Sequence, residues 1–168
     1  LFAVDNLSLD IYQGETLAVV GESGCGKSTL ARLSLALERA DSGEVSFKGQ
    51  NLFNMAPHDL RKLRGDMQLI FQDPFSSLNP RMLISEIIAE PLVVQGDLTK
   101  RDIKHRVLKM LDKVGLSESV LSKYVHEFSG GQRQRIAIAR ALISGPKFIV
   151  ADEPVSALDV SIRAQVLN

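Results

Sequence analysis

One nine-residue stretch, GESGCGKST at residues 21–29, restricts the possible folds of this chain more than any other feature. It fits the pattern G-x-x-x-x-G-K-[ST], in which a glycine-rich turn between a strand and a helix curls so that backbone N–H groups face a phosphate. Lys27 is expected to bridge the β- and γ-phosphates of a nucleotide, and the Ser28 hydroxyl to bind Mg²⁺. The alternative is a glycine-rich turn without a ligand. We favour the phosphate loop, whose predicted binding residues are Gly21, Glu22, Ser23, Gly24, Cys25, Gly26, Lys27, Ser28 and Thr29.

The sequence on both sides of this loop supplies the strand and the helix that the pattern requires. The apolar run ETLAVV (residues 15–20) is typical of a buried strand, and STLARLSLALERA, which begins at Ser28, is rich in helix-forming residues. Leu7, Leu9 and Ile11 alternate with polar residues, which favours a half-buried strand. The loop is therefore expected between the carboxyl end of a strand and the amino end of a helix.

Further strands and helices follow along the chain. GEVSFKG and MQLIF are typical of short strands, PHDLRKLR of a short helix opened by Pro57, and KFIVADEP of a buried strand. In TKRDIKHRVLKMLDKVG, Thr99 and Asp102 form a capping pair, Gly115 ends the helix, and an apolar stripe comprises Ile103, Val107, Leu111 and Val114. This order of elements predicts an α/β fold with a parallel sheet and an inserted helical block.

The bulk composition limits the class of protein. The 168 residues, 45% of them hydrophobic, suffice for one globular domain with a sizeable core. The 20 basic and 20 acidic residues cancel, so overall charge does not support a nucleic-acid partner. The single cysteine excludes an intrachain disulfide, and no apolar run approaches the ~20 residues of a membrane-spanning helix. Because the chain begins with Leu and ends in an unfinished helical pattern, we expect a fragment of a longer protein.

Polar side chains that can bind a metal ion or activate water follow two of the predicted strands. Asp152 ends the strand in FIVADE, where a carboxylate can hold Mg²⁺ through water, and the adjacent Glu153 can polarise an attacking water. Gln72 follows MQLIF and can contact both the metal and that water. Taken alone, each signal is weak, because an exposed acidic pair or a surface glutamine explains the same residues. Their weight depends on the phosphate loop upstream.

A second stretch, EFSGGQRQRIAIARAL (residues 127–142), also opens a helix with a hydroxyl residue and two glycines, and helix amino ends attract anions. Its arginines, Arg133, Arg135 and Arg140, are interleaved with apolar residues, which indicates a partly buried helix with an exposed basic edge. SALD (residues 156–159) fits a helix cap. The histidines lie far apart and are interpreted as non-catalytic: His58, His105 and His126.

Taken in order, GESGCGKST, Gln72, FSGGQ, FIVADE and SALD resemble the Walker A, Q-loop, signature, Walker B and D-loop motifs of the nucleotide-binding subunit of ABC transporters. FQDPFSSLNPRM and HEFSGGQRQRIAIARAL are similar, more narrowly, to the oligopeptide/dipeptide (peptide/nickel) importer branch. The resemblance implies a truncated P-loop NTPase (RecA-like) core with a mainly parallel sheet, an N-terminal antiparallel β part and an inserted helical subdomain. Within this single incomplete domain, residues 1–72 and 131–168 would form the ATP-binding core with its β part, and residues 73–130 the helical subdomain.

The resemblance also implies a transport-coupled ATPase that works as a head-to-tail pair, with ATP between the Walker A motif of one protomer and the signature of the other. The catalytic residues would be Glu153, Lys27 and Gln72, and Mg²⁺ would be bound by Ser28, Gln72 and Asp152. The residues that would contact ATP bound to the partner are Ser129, Gly130, Gly131, Gln132 and Asp159. An exposed charge at a helix end gains only ~0.3–1 kcal/mol, so we expect the contact to strengthen when the pair closes and water leaves.

The partners implied by the resemblance are a second ABC ATPase subunit, which is the same or a related chain, membrane permease subunits that contact residues 72–81, and, indirectly, a solute-binding protein. The cofactors are ATP and Mg²⁺, and no nucleic acid is expected. The location is peripheral, on the cytoplasmic face of the inner (plasma) membrane of a bacterium or archaeon.

The family's switch histidine lies beyond residue 168, and its adenine-stacking aromatic residue lies before the first strand, where Phe2 is a poor substitute. This stretch alone is therefore expected to turn over ATP weakly.

Two other functions stay open at this point. A non-transport ABC ATPase of the DNA-repair or translation type carries the same signature, although the DNA-repair type usually has a long coiled coil where this chain has a compact insert. A nucleotide-gated binding module without turnover usually lacks the carboxylate that Glu153 supplies.

Overall fold

The computed structural model describes residues 2–71, 73 and 77–152. The chain divides into two compact units, Leu1–Ala56 and Pro57–Asn168, and each is described by itself. The predicted residues Gln72, Glu153 and Asp159 lie outside the described residues.

Among its described residues, the N-terminal unit contains one α-helix, one short 3₁₀ helix (Leu52–Asn54) and one hairpin. Helix α1 (Lys27–Ser34) is shorter than predicted. It ends because Ala36 adopts a left-handed conformation (φ 49°), which lets the N–H of Leu37 donate to the carbonyl of Arg32 at 2.9 Å.

The hairpin of this unit joins two short strands, β1 (Ser46–Phe47) and β2 (Gln50–Asn51), in antiparallel register. Lys48 and Gly49 between them both have positive φ, 51° and 76°, which is the geometry of the tight turns that suit the twist of a hairpin. The strand predicted in GEVSFKG is therefore present over two residues, and it belongs to an antiparallel pair.

The two strands predicted upstream of the phosphate loop are absent from the described residues, and this part of the sequence-based prediction is wrong. Val20 is 93% exposed, and residues 15–20 form no ladder. The alternating apolar residues Leu7, Leu9 and Ile11 are also exposed and unpaired in a sheet. A strand needs hydrogen bonds to a neighbouring strand, and within the described residues none pairs with either segment.

The described residues of the C-terminal unit contain a parallel strand pair, four α-helices and three short 3₁₀ helices (Arg64–Asp66, Glu118–Val120 and Val125–Glu127). Strands β3 (Met67–Ile70) and β4 (Phe148–Ala151) pair in parallel, from Met67 opposite Phe148 to Ile70 opposite Ala151. The helices are α2 (Pro57–Leu63), α3 (Ile84–Gln95), α4 (Lys100–Lys113) and α5 (Gly130–Leu142). The predicted α/β architecture with a parallel sheet is confirmed.

The degree of burial of β4 differs from the prediction. Burial alternates along this strand instead of being continuous, and Ile149 is 40% exposed. Among the described residues β4 pairs with β3 alone, so part of its surface has no strand beside it.

The core of this unit lies between α3, α4, α5 and β3. Helix α3 contributes side chains that are almost completely buried, and α5 packs against both α3 and β3. The large apolar side chains that are almost completely buried include Ile84, Ile87, Ile88, Leu92, Leu111, Ile136 and Ile138. These side chains join α3, α4 and α5 in one core.

Helix α4 forms as its sequence predicts. The Thr99 hydroxyl accepts the N–H of Asp102 at 3.2 Å and donates to the Asp102 carboxylate at 2.6 Å, so the capping pair is present. Val107 and Leu111 face the core, and Gly115, with φ 66°, ends the helix. Within the described part of the chain, no helix is both long enough and apolar enough to cross a bilayer.

Candidate nucleotide-binding site

Glycines shape the phosphate loop, and at Gly26 a side chain does not fit. Gly26 has φ 98°, and a Cβ there would lie 2.1 Å from the carbonyl oxygen of Ala3. A Cβ at Gly21 would lie 2.6 Å from the Sγ of Cys25. The N–H of Cys25 donates to the carbonyl of Glu22 at 3.3 Å, which closes the curl. The backbone thus turns tightly just before α1.

Lys27 directs its ammonium group back into this curl. Its Nζ donates to the carbonyl oxygens of Gly21 and Glu22, both at 2.7 Å, and lies 3.8 Å from the Sγ of Cys25. The positive charge is therefore held by the loop's own backbone at the place where the sequence pattern predicts phosphates. Its role in bridging the β- and γ-phosphates stays a prediction.

The dipole of the helix that follows adds positive electrostatic potential at the loop. The first hydrogen bond of α1 runs from the N–H of Leu30 to the carbonyl of Gly26 at 2.9 Å, so the positive end of α1 lies at the loop. Ser28, the predicted Mg²⁺ ligand, is exposed in the first turn, whereas Thr29 is half-buried. Glu22 and Ser23 are exposed on the loop. A phosphate approaching this surface meets N–H dipoles and one ammonium group.

Asp152 lies at the carboxyl end of the parallel strand pair. Its N–H donates to the carbonyl of Ile70 at 3.0 Å, which extends the ladder by one residue beyond β4. The carboxyl ends of β3 and β4 therefore meet at one edge, with Asp152 at the end of one strand and Phe71 at the end of the other. Ligands of α/β proteins bind outside this edge of the sheet.

The donors predicted for Mg²⁺ have the chemistry that this ion prefers. Ser28 offers a hydroxyl oxygen and Asp152 a half-buried carboxylate, and Mg²⁺ takes oxygen ligands together with water. Ser28 belongs to the N-terminal unit and Asp152 to the C-terminal unit, so the surroundings of each residue are described separately.

The signature residues form a reciprocal cap at the start of α5. The Ser129 hydroxyl accepts the N–H of Gln132 at 3.4 Å, and the Gln132 side-chain oxygen accepts the N–H of Ser129 at 3.1 Å. Gly130 is exposed, and a Cβ built on it would meet no atom within 4 Å. Gly131 is half-buried in the same turn. The fold of the described residues therefore does not itself require a glycine at position 130.

Arg133 holds the turn that precedes the signature, which the sequence analysis did not anticipate. Its Nε donates to the carbonyl of Val125 at 3.0 Å, and its Nη2 donates to the carbonyl of His126 at 3.2 Å. The sequence placed Arg133 on an exposed basic edge, but two of its N–H groups bind backbone carbonyls. Since any residue supplies a carbonyl, no sequence signal identifies such a partner.

Comparison with known proteins extends this picture. The chain is 57% identical, over its whole length, to the oligopeptide transport ATP-binding protein OppF of Salmonella typhimurium, of which it covers 51%. It is 51% identical over 99% of its length to the dipeptide transport ATP-binding protein DppF of Escherichia coli, of which it covers 50%. The chain therefore spans about half the length of these curated relatives.

Solved structures give the same result. The ATP-binding cassette MJ0796, in a dimeric post-hydrolysis state bound to ADP and Pi, matches with a TM-score of 0.90 and 32% identity over 98% of this chain and 72% of that one. Residues 4–156 match the description of the ABC transporter family. This chain belongs to the ABC transporter family.

Proposed function

We propose that the full-length protein is the ATP-binding and ATP-hydrolysing subunit of an ABC importer for peptides or a related small solute. The observation that carries this proposal is the phosphate loop, in which two backbone carbonyls hold the Lys27 ammonium 2.7 Å away, inside a glycine curl at the start of α1. The names of the relatives, oligopeptide and dipeptide transport ATP-binding proteins, support the class of solute.

In this proposal the residues of one chain bind and orient ATP. The loop N–H groups and Lys27 contact the phosphates, and Ser28, Gln72 and Asp152 hold Mg²⁺, which offsets phosphate charge when bound. Glu153 orients or deprotonates the attacking water, a role whose loss typically costs ~10²- to 10⁴-fold in rate. Two of these residues, Gln72 and Glu153, are assigned from sequence alone.

The working unit in this proposal is a head-to-tail pair. Gly130 supports it, because this exposed glycine has free space around it within its own chain. A partner's γ-phosphate seated against residues 129–132 would explain why position 130 is a glycine, since the phosphate needs close approach to the backbone. Asp159 would contact the opposite site. The dimeric state of the structural relative supports the same arrangement.

The remaining partners are membrane permease subunits, with residues 72–81 as the proposed contact, and a solute-binding protein that acts indirectly. The proposed location is therefore peripheral, on the cytoplasmic face of the plasma membrane, and the named relatives are bacterial. The division into an ATP-binding core (residues 1–72 and 131–168) and a helical subdomain (residues 73–130) belongs to the same proposal.

The substitution Glu153→Gln in the full-length protein tests the proposal. ATP should bind but not turn over, so light scattering should detect an ATP-dependent pair that ADP does not produce. Glu118→Gln, at an exposed position on a turn, is the matched control and should hydrolyse ATP normally. A Glu153→Gln protein that stays unpaired with ATP, in the presence of whichever subunit completes its pair, would falsify the sandwich arrangement.

A further inference from the structure

Arg140, near the carboxyl end of α5, contacts two other segments of the C-terminal unit. Its Nε and Nη2 both donate to Oε2 of Glu90 on α3, at 3.0 and 2.8 Å. Its Nη1 lies 3.5 Å from the carbonyl oxygen of Ser77, which precedes α3 in the chain. One guanidinium therefore faces a carboxylate on α3 and a backbone carbonyl between β3 and α3.

The side chains around this contact are partly buried, which gives it a defined geometry. Arg140 is 34% exposed and Glu90 is 44% exposed. Leu78, next to Ser77, is buried in the core at 3% exposure. Ion pairs at this level of exposure contribute little to stability. A planar guanidinium with two N–H groups on one oxygen nevertheless fixes the orientation of the arginine side chain relative to the carboxylate.

Helix α5 links the contacts of Arg140 to the signature. Helix α5 is a rigid element of 13 residues that carries the signature at its amino end and Arg140 two residues before its carboxyl end. It packs against α3 and β3. Anything that shifts Ser77 relative to Glu90 therefore acts, through Arg140, on the helix that presents Ser129 and Gly130.

We infer that Arg140 is a positioning residue that sets the signature of this chain by holding α5 against Glu90 and Ser77. The inference rests on the proposed function. Arg140 touches no reacting atom in this scheme. It determines where the signature lies when the ATP pair closes, so it should influence the rate of turnover and leave nucleotide affinity at the phosphate loop unchanged.

The test is Arg140→Lys in the full-length protein, assembled with its permease in lipid vesicles. Lysine keeps the charge but cannot place two N–H groups on Glu90 while a third faces Ser77. The kcat for ATP should fall roughly tenfold, because small misplacements of positioning groups carry large rate penalties. The KM for ATP should change less than about twofold, because a group that acts only on turnover does not contribute to uniform ATP binding. Glu90→Gln should give the same pattern, and the double variant should be no worse than either single variant, since the two residues act as a unit.

Arg135→Lys is the matched control, because Arg135 lies on the same helix and donates to the carbonyl of Gly115 at 3.2 Å, away from Ser77 and Glu90. It should keep the wild-type kcat. If Arg140→Lys keeps kcat within twofold while the wild type hydrolyses ATP, the inference is wrong and the proposed function stands. Equal losses of kcat in both variants, in step with their loss of folding stability, would also overturn it. A wild type without turnover would overturn the proposed function itself.

Discussion

At the scale of single residues, Lys27 shows how a loop can hold a charge ready for a ligand. Its ammonium group is bound by the carbonyls of Gly21 and Glu22, so these two acceptors fix the side chain instead of leaving it in solvent. A phosphate would meet a charge that is already in place, and less ordering would be needed on binding.

Replacing this side chain should therefore weaken nucleotide binding. We expect Lys27→Ala in the full-length protein to raise the Kd for MgATP about 10- to 150-fold, which corresponds to the ~1.5–3 kcal/mol typical of a hydrogen bond to a charged group. Titration calorimetry measures the change. Lys109→Ala, at an exposed position on α4, is the control and should bind like the wild type. Unchanged affinity in Lys27→Ala would refute the assignment of the phosphate loop.

At the scale of the elements, α3 contributes four buried apolar side chains to the core of the C-terminal unit. Ile88 is completely buried in it, whereas Val93 on the same helix is 62% exposed. Ile88→Ala should lower the free energy of unfolding by ~2–5 kcal/mol, because it removes buried methyl groups and leaves a cavity. Chemical denaturation followed by circular dichroism measures the change.

Val93→Ala is the control for this prediction, and it should change the free energy of unfolding by no more than ~0.5 kcal/mol, as is usual for an exposed position. Similar losses for both substitutions would contradict the assigned core, since α3 would then not bury Ile88 in preference to Val93.

Helix starts that depend on local interactions could be predicted from the sequence, whereas strands, which depend on distant partners, could be predicted only in part: β3 and β4 are present, and a strand at residues 15–20 is not. Helix α4 and the start of α5 are specified by residues three apart, Thr99 with Asp102 and Ser129 with Gln132, and both caps are present. Residues 15–20 have the composition of a buried strand, but a strand exists only where another one pairs with it. Composition does not identify that partner, and the prediction of a strand there is wrong.

The candidate site divides in the same way. The tight turn at Gly26 follows from the spacing of the motif, because a conformation with φ 98° is a local property of the loop, and the roles of Gly26 and Lys27 in phosphate binding stay predictions. The contacts of Arg133 and Arg140 join residues that are 7 to 63 positions apart. Their partners are backbone carbonyls and one glutamate among many, so only the three-dimensional structure identifies them.

At the scale of the whole molecule, the proposed function assigns the signature to the site of a partner chain. Gly130→Asp should leave MgATP binding to the separated subunit unchanged and abolish turnover, because the new carboxylate repels a phosphate presented by the partner. Lys100→Asp places the same carboxylate at the first position of α4 and is the control, with normal turnover expected. Loss of ATP binding in the separated Gly130→Asp subunit would show that the signature acts within its own chain.

Mixing two inactive variants completes this test where the working pair consists of two copies of the chain. In a head-to-tail pair of Lys27→Ala with Gly130→Asp, one site combines both defects and the other combines two intact halves. In an equal mixture, about half of the pairs contain one copy of each variant, and each of these pairs has one intact site out of two. About a quarter of the wild-type turnover should therefore return if the sites act independently. A signature that served its own chain would leave every site defective, and the mixture would stay inactive. Recovery of activity therefore requires that each site is built from two chains.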